Sequence, residues 1–226
     1  RDRTGEGRDD VTIGRGDAET VSTGSGQDVI TANGGVFYIN SGGGNDKVNL
    51  GAEGAGVVQL QNGNDLVRVS ELSQPEHGVI LLGNDGVDTI NFANFSVGVT
   101  IDLAETGWQD PGATSAGLFQ LRGFENVVGS DQADNLIGNA KDNKFTGNAG
   151  ADVFTFTGTV KDPESGVDTV RDFEDDSDLL RLPGQVFGDL VIEDDGSNLK
   201  ITHDDGVILL NGLAGVTLDA SDFLFV

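Results

Sequence analysis

Apolar side chains stand singly along much of this chain, each between polar neighbours, as in K-V-N at 47–49, L-V-R at 66–68 and T-I-N at 89–91. Such a triplet is a very short strand with one side chain turned towards a core. Each is preceded at fixed offsets by glycine and aspartate. The frame T-G-E-G-R-D-D-V-T at 4–12 recurs as T-G-S-G-Q-D-V-I-T at 23–31 and S-G-G-G-N-D-K-V-N at 41–49. It returns more loosely as L-Q-N-G-N-D-L-V-R at 60–68 and G-N-D-G-V-D-T-I-N at 83–91. A second block keeps a nine-residue period through 129–137, 138–146 and 147–155, with apolar markers Leu136, Phe145 and Phe154 and with Val127 one period earlier. A last echo places Gly166 ahead of Asp168 and Val170.

Glycine tolerates positive φ and lets carbonyls point inward around a tight turn, while the aspartate that follows adds a carboxylate. Nine residues make one turn and one short strand, so two copies complete one coil of a parallel β-roll. The reading is all-β: a right-handed parallel β-roll or β-helix, closed by an antiparallel segment.

Composition sharpens this picture. With 13 Lys+Arg against 38 Asp+Glu among 226 residues, the net charge is −25. A surface of that sign repels phosphate and argues against nucleic acid. High charge with 35 glycines could also mark a solvated tail, but the ordered recurrence of Gly, Asp and apolar positions counts against disorder. No run of 18 apolar residues spans a membrane. The absence of cysteine removes disulfides, thiolate nucleophiles and zinc-thiolate sites, so an extracellular chain of this kind needs another staple. The chain also has no Met and opens at Arg1, which reads as an excerpt or processed product of a longer protein.

On these nonapeptides the sequence resembles the carboxy-terminal RTX region, the hemolysin-type calcium-binding repeat of bacterial proteins exported by type I secretion. The resemblance implies Ca²⁺ held between successive turns by aspartates and turn carbonyls, with about five ions in all. The implied ligand turns are Gly5, Gly7 and Asp9; Gly24, Gly26 and Asp28; Gly42, Gly44 and Asp46; Gly63 and Asp65; Gly86 and Asp88. In the second block they are Asp134, then Gly150 and Asp152, then Gly166 and Asp168. Stepping by one repeat from Asp9 reads Asp9, Ala18, Asp28, Phe37, Asp46, Ala55, Asp65, so every second carboxylate is missing. Alternate repeats fall on opposite edges of a roll, and the calcium ladder is therefore expected on one edge only. Asp134 and Asp152 are expected to share an ion, with Asn143 on the opposite edge.

Residues 1–91 thus read as a first RTX block, 92–128 as an interruption, 129–171 as a second block, and 172–226 as a cap with an export signal. Within the interruption, 98–103 reads as a strand and 104–120 as an excursion. Phe92, Phe95, Trp108, Phe119 and Phe124 would form either core or a sugar-stacking surface. The segments at 189–193, 198–202 and 207–211 read as an antiparallel tail sheet. The ending Asp222, Phe223, Leu224, Phe225, Val226 resembles the uncleaved export signal of serralysin-type proteases, and alternatively reads as a last strand.

Nothing here looks catalytic. His77 and His203 are the only histidines, and no zinc-protease, nucleophile-elbow or phosphate-loop motif is present, so any catalytic domain would lie upstream. The functional expectation is a calcium-binding domain that folds on extracellular Ca²⁺ and supports type I secretion and stability of a larger protein, secreted or on the bacterial surface. The alternative is a Ca²⁺-dependent adhesin or carbohydrate-binding module, or the accessory module of a polysaccharide-modifying enzyme, with an extracellular polysaccharide as partner.

Overall fold

The computed structural model of the protein describes residues 2–3, 5–14, 20–73, 78–112, 118–156 and 166–225. Ala18, His77 and Val226 lie outside the described residues. The chain divides into two compact units, one of residues 1–95 and 105–126, the other of 96–104 and 127–226.

In the first unit the chain coils between two parallel sheets. The first has the order β1 (Asp2–Arg3), β3 (Thr20–Ser22), β5 (Val36–Asn40), β7 (Ala55–Asn62), β9 (Val79–Asp85), β12 (Phe119–Arg122). The second sets β2 (Asp10–Ile13), β4 (Val29–Ala32), β6 (Lys47–Leu50), β8 (Leu66–Arg68) and β10 (Thr89–Asn91) side by side. Consecutive strands therefore alternate between sheets, and every pairing within a sheet joins strands one full coil apart. The single apolar residue of each triplet explains the register. Val11, Ile30, Val48, Val67 and Ile90 form one matched row, and the last four are wholly buried. Val21, Ile39, Val58, Leu81 and Leu121 form the facing row from the first sheet. A one-residue slip would turn both rows to solvent.

Phe92, Phe95, Phe119 and Phe124 belong to this core. Phe92 meets Phe95 at 5.2 Å and Phe119 at 5.9 Å, both edge to face. Of the five aromatics in the interruption only Trp108 stays half exposed, against Gly78. The sugar-stacking option for this group is thereby reduced to one ring.

In the second unit β11 (Thr100–Asp102), β14 (Asn135–Ile137), β16 (Val153–Thr155), β18 (Leu179–Arg181) and β22 (Phe223–Leu224) make a parallel sheet. Ile101, Leu136, Phe154, Leu180 and Phe223 form its buried row. Opposite run β15 (Lys144–Thr146), β17 (Val167–Val170) and β21 (Gly206–Leu210), with Phe145 matched to Val170 and Val170 to Leu210. The tail hairpins follow: β20 (Asn198–His203) and β19 (Val191–Asp195) continue this sheet antiparallel. The strand β13 (Asn126–Val128) stands where the chain passes from one unit to the next. Phe223 and Leu224 join the parallel sheet beside β18, not the antiparallel tail, because Phe223 completes the apolar row.

Candidate metal centre

The turns that carry the chain from the six-stranded sheet into its partner lie in register down the first unit. Gly43 N–H donates to the Gly24 carbonyl at 2.8 Å, Gly26 N–H to Gly43 at 2.7 Å, and Gly44 N–H to Asn62 at 2.7 Å. At the end of the stack Gly7 N–H donates to Ser25 at 2.7 Å, while Ser25 N–H reaches back to the Gly5 carbonyl at 3.3 Å. Only glycine fits this spacing. Gly44 has φ +124°, and a Cβ there would lie 1.5 Å from the Gly26 carbonyl oxygen. Gly42, at φ +93°, would bring a Cβ to 1.6 Å from the Gly24 oxygen. Gly63 approaches the Gly44 oxygen and Gly86 the Gly63 oxygen in the same way.

Behind these turns the aspartates form a chain of their own. Asp9 N–H donates to Asp28 Oδ1 (2.8 Å), Asp28 N–H to Asp46 Oδ1 (2.8 Å), and Asp46 N–H to Asp65 Oδ1 (2.7 Å). Asp65 N–H then donates to Asp88 Oδ1 (2.9 Å), and Asp88 N–H to Glu125 Oε2 (2.9 Å). From Asp28 onward each carboxylate spends one oxygen on the coil before it. The Oδ2 atoms of Asp9, Asp28, Asp46 and Asp65 are buried and have no hydrogen-bond partner. Asp28, Asp46 and Asp65 are each no more than 2% exposed.

The second unit repeats the device. Val99 N–H donates to Asp134 Oδ1 (2.7 Å), Asp134 N–H to Asp152 Oδ1 (2.8 Å), and Asp152 N–H to Asp178 Oδ1 (2.9 Å). Asp152 Oδ2 is again buried without a partner. On the other sheet Asn143 N–H donates to Asp168 Oδ1 (2.7 Å), so Asn143 stands with Asp168 and apart from the Asp134–Asp152 line. Gly166 is buried at the entry to β17, and Gly150, at φ +141°, faces the Gln132 carbonyl. A Cβ on Gly83, Gly129 or Gly147 would sit 2.4, 2.0 or 2.1 Å from the Oδ2 of Asp88, Asp134 or Asp152, so each carboxylate lies against bare backbone.

Burial without a counter-charge raises the carboxyl pKa above the usual range for Asp46, Asp134 and Asp178. It carries Asp65 to about 6 and Asp152 to about 7, with neighbouring carboxylates adding to the shift. Buried carboxyl groups in a file, with hydrogen-bond-free Oδ2 atoms at Asp9, Asp28, Asp46, Asp65 and Asp152, form an all-oxygen donor set. Hard cations that accept irregular oxygen cages, calcium above all, fit that chemistry, whereas softer metals would call for nitrogen or sulfur.

Several of these residues escape the nonapeptide frame. Glu125 and Asp178 end the two files, and Asp172 accepts from Gly147 and Asn148 N–H at 2.9 and 2.8 Å. Gly83, Gly129 and Gly147 each precede their aspartate by five residues, a spacing visible in the sequence. Asp175, Asp176 and Asp222 also gather their oxygens within 4.8 Å, the first two exposed and the third buried. Of the terminal residues, Asp222 accepts from Asp219 N–H (2.7 Å) in a capping box, and Phe223 stacks on Phe225 at 5.5 Å.

No curated protein matches the chain. Residues 79–189 match the family described as Peptidase M10 serralysin C terminal. The match opens with β9 and takes in the aspartate turns from Asp88 to Asp178, while the turns from Asp9 to Asp65 lie outside it and share its geometry. Residues 79–189 of this all-β chain are thus similar to the serralysin C-terminal family, an RTX-type calcium-binding repeat domain.

Proposed function

We propose that this chain is a calcium-triggered folding domain, which accompanies a larger protein through a type I exporter and closes into its coil outside the cell. The observation that carries this reading is the file of buried carboxylate oxygens without partners at Asp9, Asp28, Asp46, Asp65 and Asp152. Without a cation these groups repel one another across adjacent coils and resist burial, which holds the chain open. Their Oδ2 atoms, with the carbonyls of Gly5, Gly7, Gly24, Gly26, Gly42, Gly44 and Gly63, would hold the ions; bound calcium supplies the positive charge the coil lacks.

The magnitudes suffice for a switch. At about 1 mM calcium and a site constant of about 0.1 mM, each site contributes about 1.4 kcal/mol. Five such sites give about 7 kcal/mol, comparable to the stability of a whole domain. At cytosolic calcium the contribution is close to zero. Export as an open chain and folding on arrival follow from the same groups, and the domain needs no catalytic role of its own.

The reading is tested by isothermal titration of the chelator-treated chain with CaCl₂. Heat of binding concurrent with gain of β circular dichroism is expected, and binding without any change in the spectrum would sink the switch.

A further inference from the structure

We propose that the outward face of β2, β4, β6, β8 and β10 is a docking surface for an unbranched, carboxylate-bearing polysaccharide, engaged by Arg8, Lys47 and Arg68. In a chain with 38 acidic and 13 basic residues, the outward positions of these five strands hold one carboxylate, Asp10, and two cations, Lys47 and Arg68. Arg8 is exposed in the turn before β2, and with Gln27, Asp28, Val29, Asn45 and Lys47 it lines a cavity of about 120 Å³ that borders the Asp28 turn. Among the described residues none of the three cations has a hydrogen-bond or ion-pair partner, whereas Lys200 is held by Glu193 at 2.9 Å. An acidic protein that leaves cations unpaired together on one sheet presents a local reversal of its own field.

The register makes them a row. Lys47 is matched with Val29 and, one strand further, Val29 with Asp10; Arg68 is matched with Asn49, two residues along from Lys47. From strand spacing and rise, Arg8 to Lys47 spans about 12 Å and Lys47 to Arg68 about 8 Å, an oblique line of about 20 Å in all. Beside it lie Thr12, Thr31, Asn49 and Asn91 in one rank, with the Asn49 amide donating to Thr31 Oγ1 at 3.3 Å. Hydroxyls and amides flanking sparse cations suit sugar hydroxyls with an occasional carboxylate.

Other occupants fit less well. Nucleic acid carries a charge on every nucleotide and would meet the −25 of the whole chain. A second copy would need about 800 Å² on each side, several times what a strip about 20 Å long offers, and would bring its own negative charge.

The proposal rests on the calcium-loaded fold, and the experiment separates the two. In calcium buffer, isothermal titration is run with a hyaluronan decasaccharide, which carries one carboxylate on every second sugar, with a neutral maltodextrin and with polyglutamate. Circular dichroism of each protein is recorded alongside. Saturable binding of hyaluronan is expected, weakened by salt because exposed charges are screened. The Lys47→Gln/Arg68→Gln variant should bind about tenfold more weakly, within the range for two exposed ion pairs. A Lys144→Gln/Lys200→Gln variant, with the same net charge, should bind like the parent. The proposal is overturned by no binding to a folded parent, by equal loss in both variants, or by maltodextrin or polyglutamate binding as tightly. It is also overturned by sedimentation showing a dimer that the Lys47→Gln/Arg68→Gln change abolishes. Failure of the parent to gain β structure in calcium would instead strike the folding reading.

Discussion

Asp46 shows in one side chain how the coil sets charge against hydrogen bonding. Its Oδ1 is engaged by Asp28 N–H at 2.8 Å, while its Oδ2 is buried without a partner. Asp46→Asn keeps an oxygen for the Asp28 N–H and removes the charge. The metal-free chain should therefore fold no worse, while the calcium midpoint rises severalfold; a calorimetric titration of both chains checks this. Gly44→Ala acts through the backbone, since φ +124° and a carbonyl oxygen 1.5 Å from the new Cβ leave no room. It should cost about 2 kcal/mol or more, seen as a higher calcium midpoint for folding. The raised carboxyl pKa values also fix a pH dependence. A group whose folded pKa lies above its unfolded value near 4 stabilises the folded state at low pH and loses that contribution as pH rises through the folded pKa. For Asp65 and Asp152 that loss runs from about 4 up to about 6 and about 7. Without metal, more β signal is expected at about pH 5 than at about pH 7.5. With calcium present, protons compete for the same oxygens, and the calcium midpoint should climb on acidification. A metal-free spectrum that weakens towards pH 5 would contradict the assignment of buried, unpaired carboxylates.

Elements are legible in the sequence wherever the period is short. The triplets around Ile30, Val48, Val67 and Ile90 lie two residues after their aspartates, and the structure sets them in one buried row. The tail segments read at 198–202 and 207–211 are β20 and β21, each within a residue or two, because alternation and D-G turns are local signals. What escapes the sequence is pairing across a break. Glu125 meets Asp88 over 37 residues and Asp178 meets Asp152 over 26, separations that no nine-residue count reaches. Phe223 likewise reads equally well as tail strand or signal until Leu180 is found beside it. That placement sets a structural role in the folded chain beside the export role proposed for the unfolded one. Deleting residues 222–226 should block export from cells carrying a type I exporter, and should also raise the calcium midpoint of the purified chain, since β22 and its buried Phe223 are lost. Normal secretion of the truncated chain would remove the signal reading, and an unchanged midpoint would remove the structural one.

At the scale of the molecule, the net charge of −25 divides between the buried carboxylates proposed as ligands and solvated surface. A chain without cysteine cannot staple its coils covalently, and its coils rest on short strands that bury few apolar side chains each, from Val67 alone on β8 to Ala55, Val58 and Leu60 on β7. On the proposed reading the remaining stability comes from neutralising the carboxylates that the coils bring together, which would tie folding to the ion. The most direct measurement is far-ultraviolet circular dichroism of the whole chain at neutral pH, first in chelator, then in excess CaCl₂, and in MgCl₂ as a control. The expected result is little β signal in chelator, its appearance with calcium, and none with magnesium, which resists irregular carbonyl-rich cages. A full β spectrum in chelator, unchanged by calcium, would contradict the account.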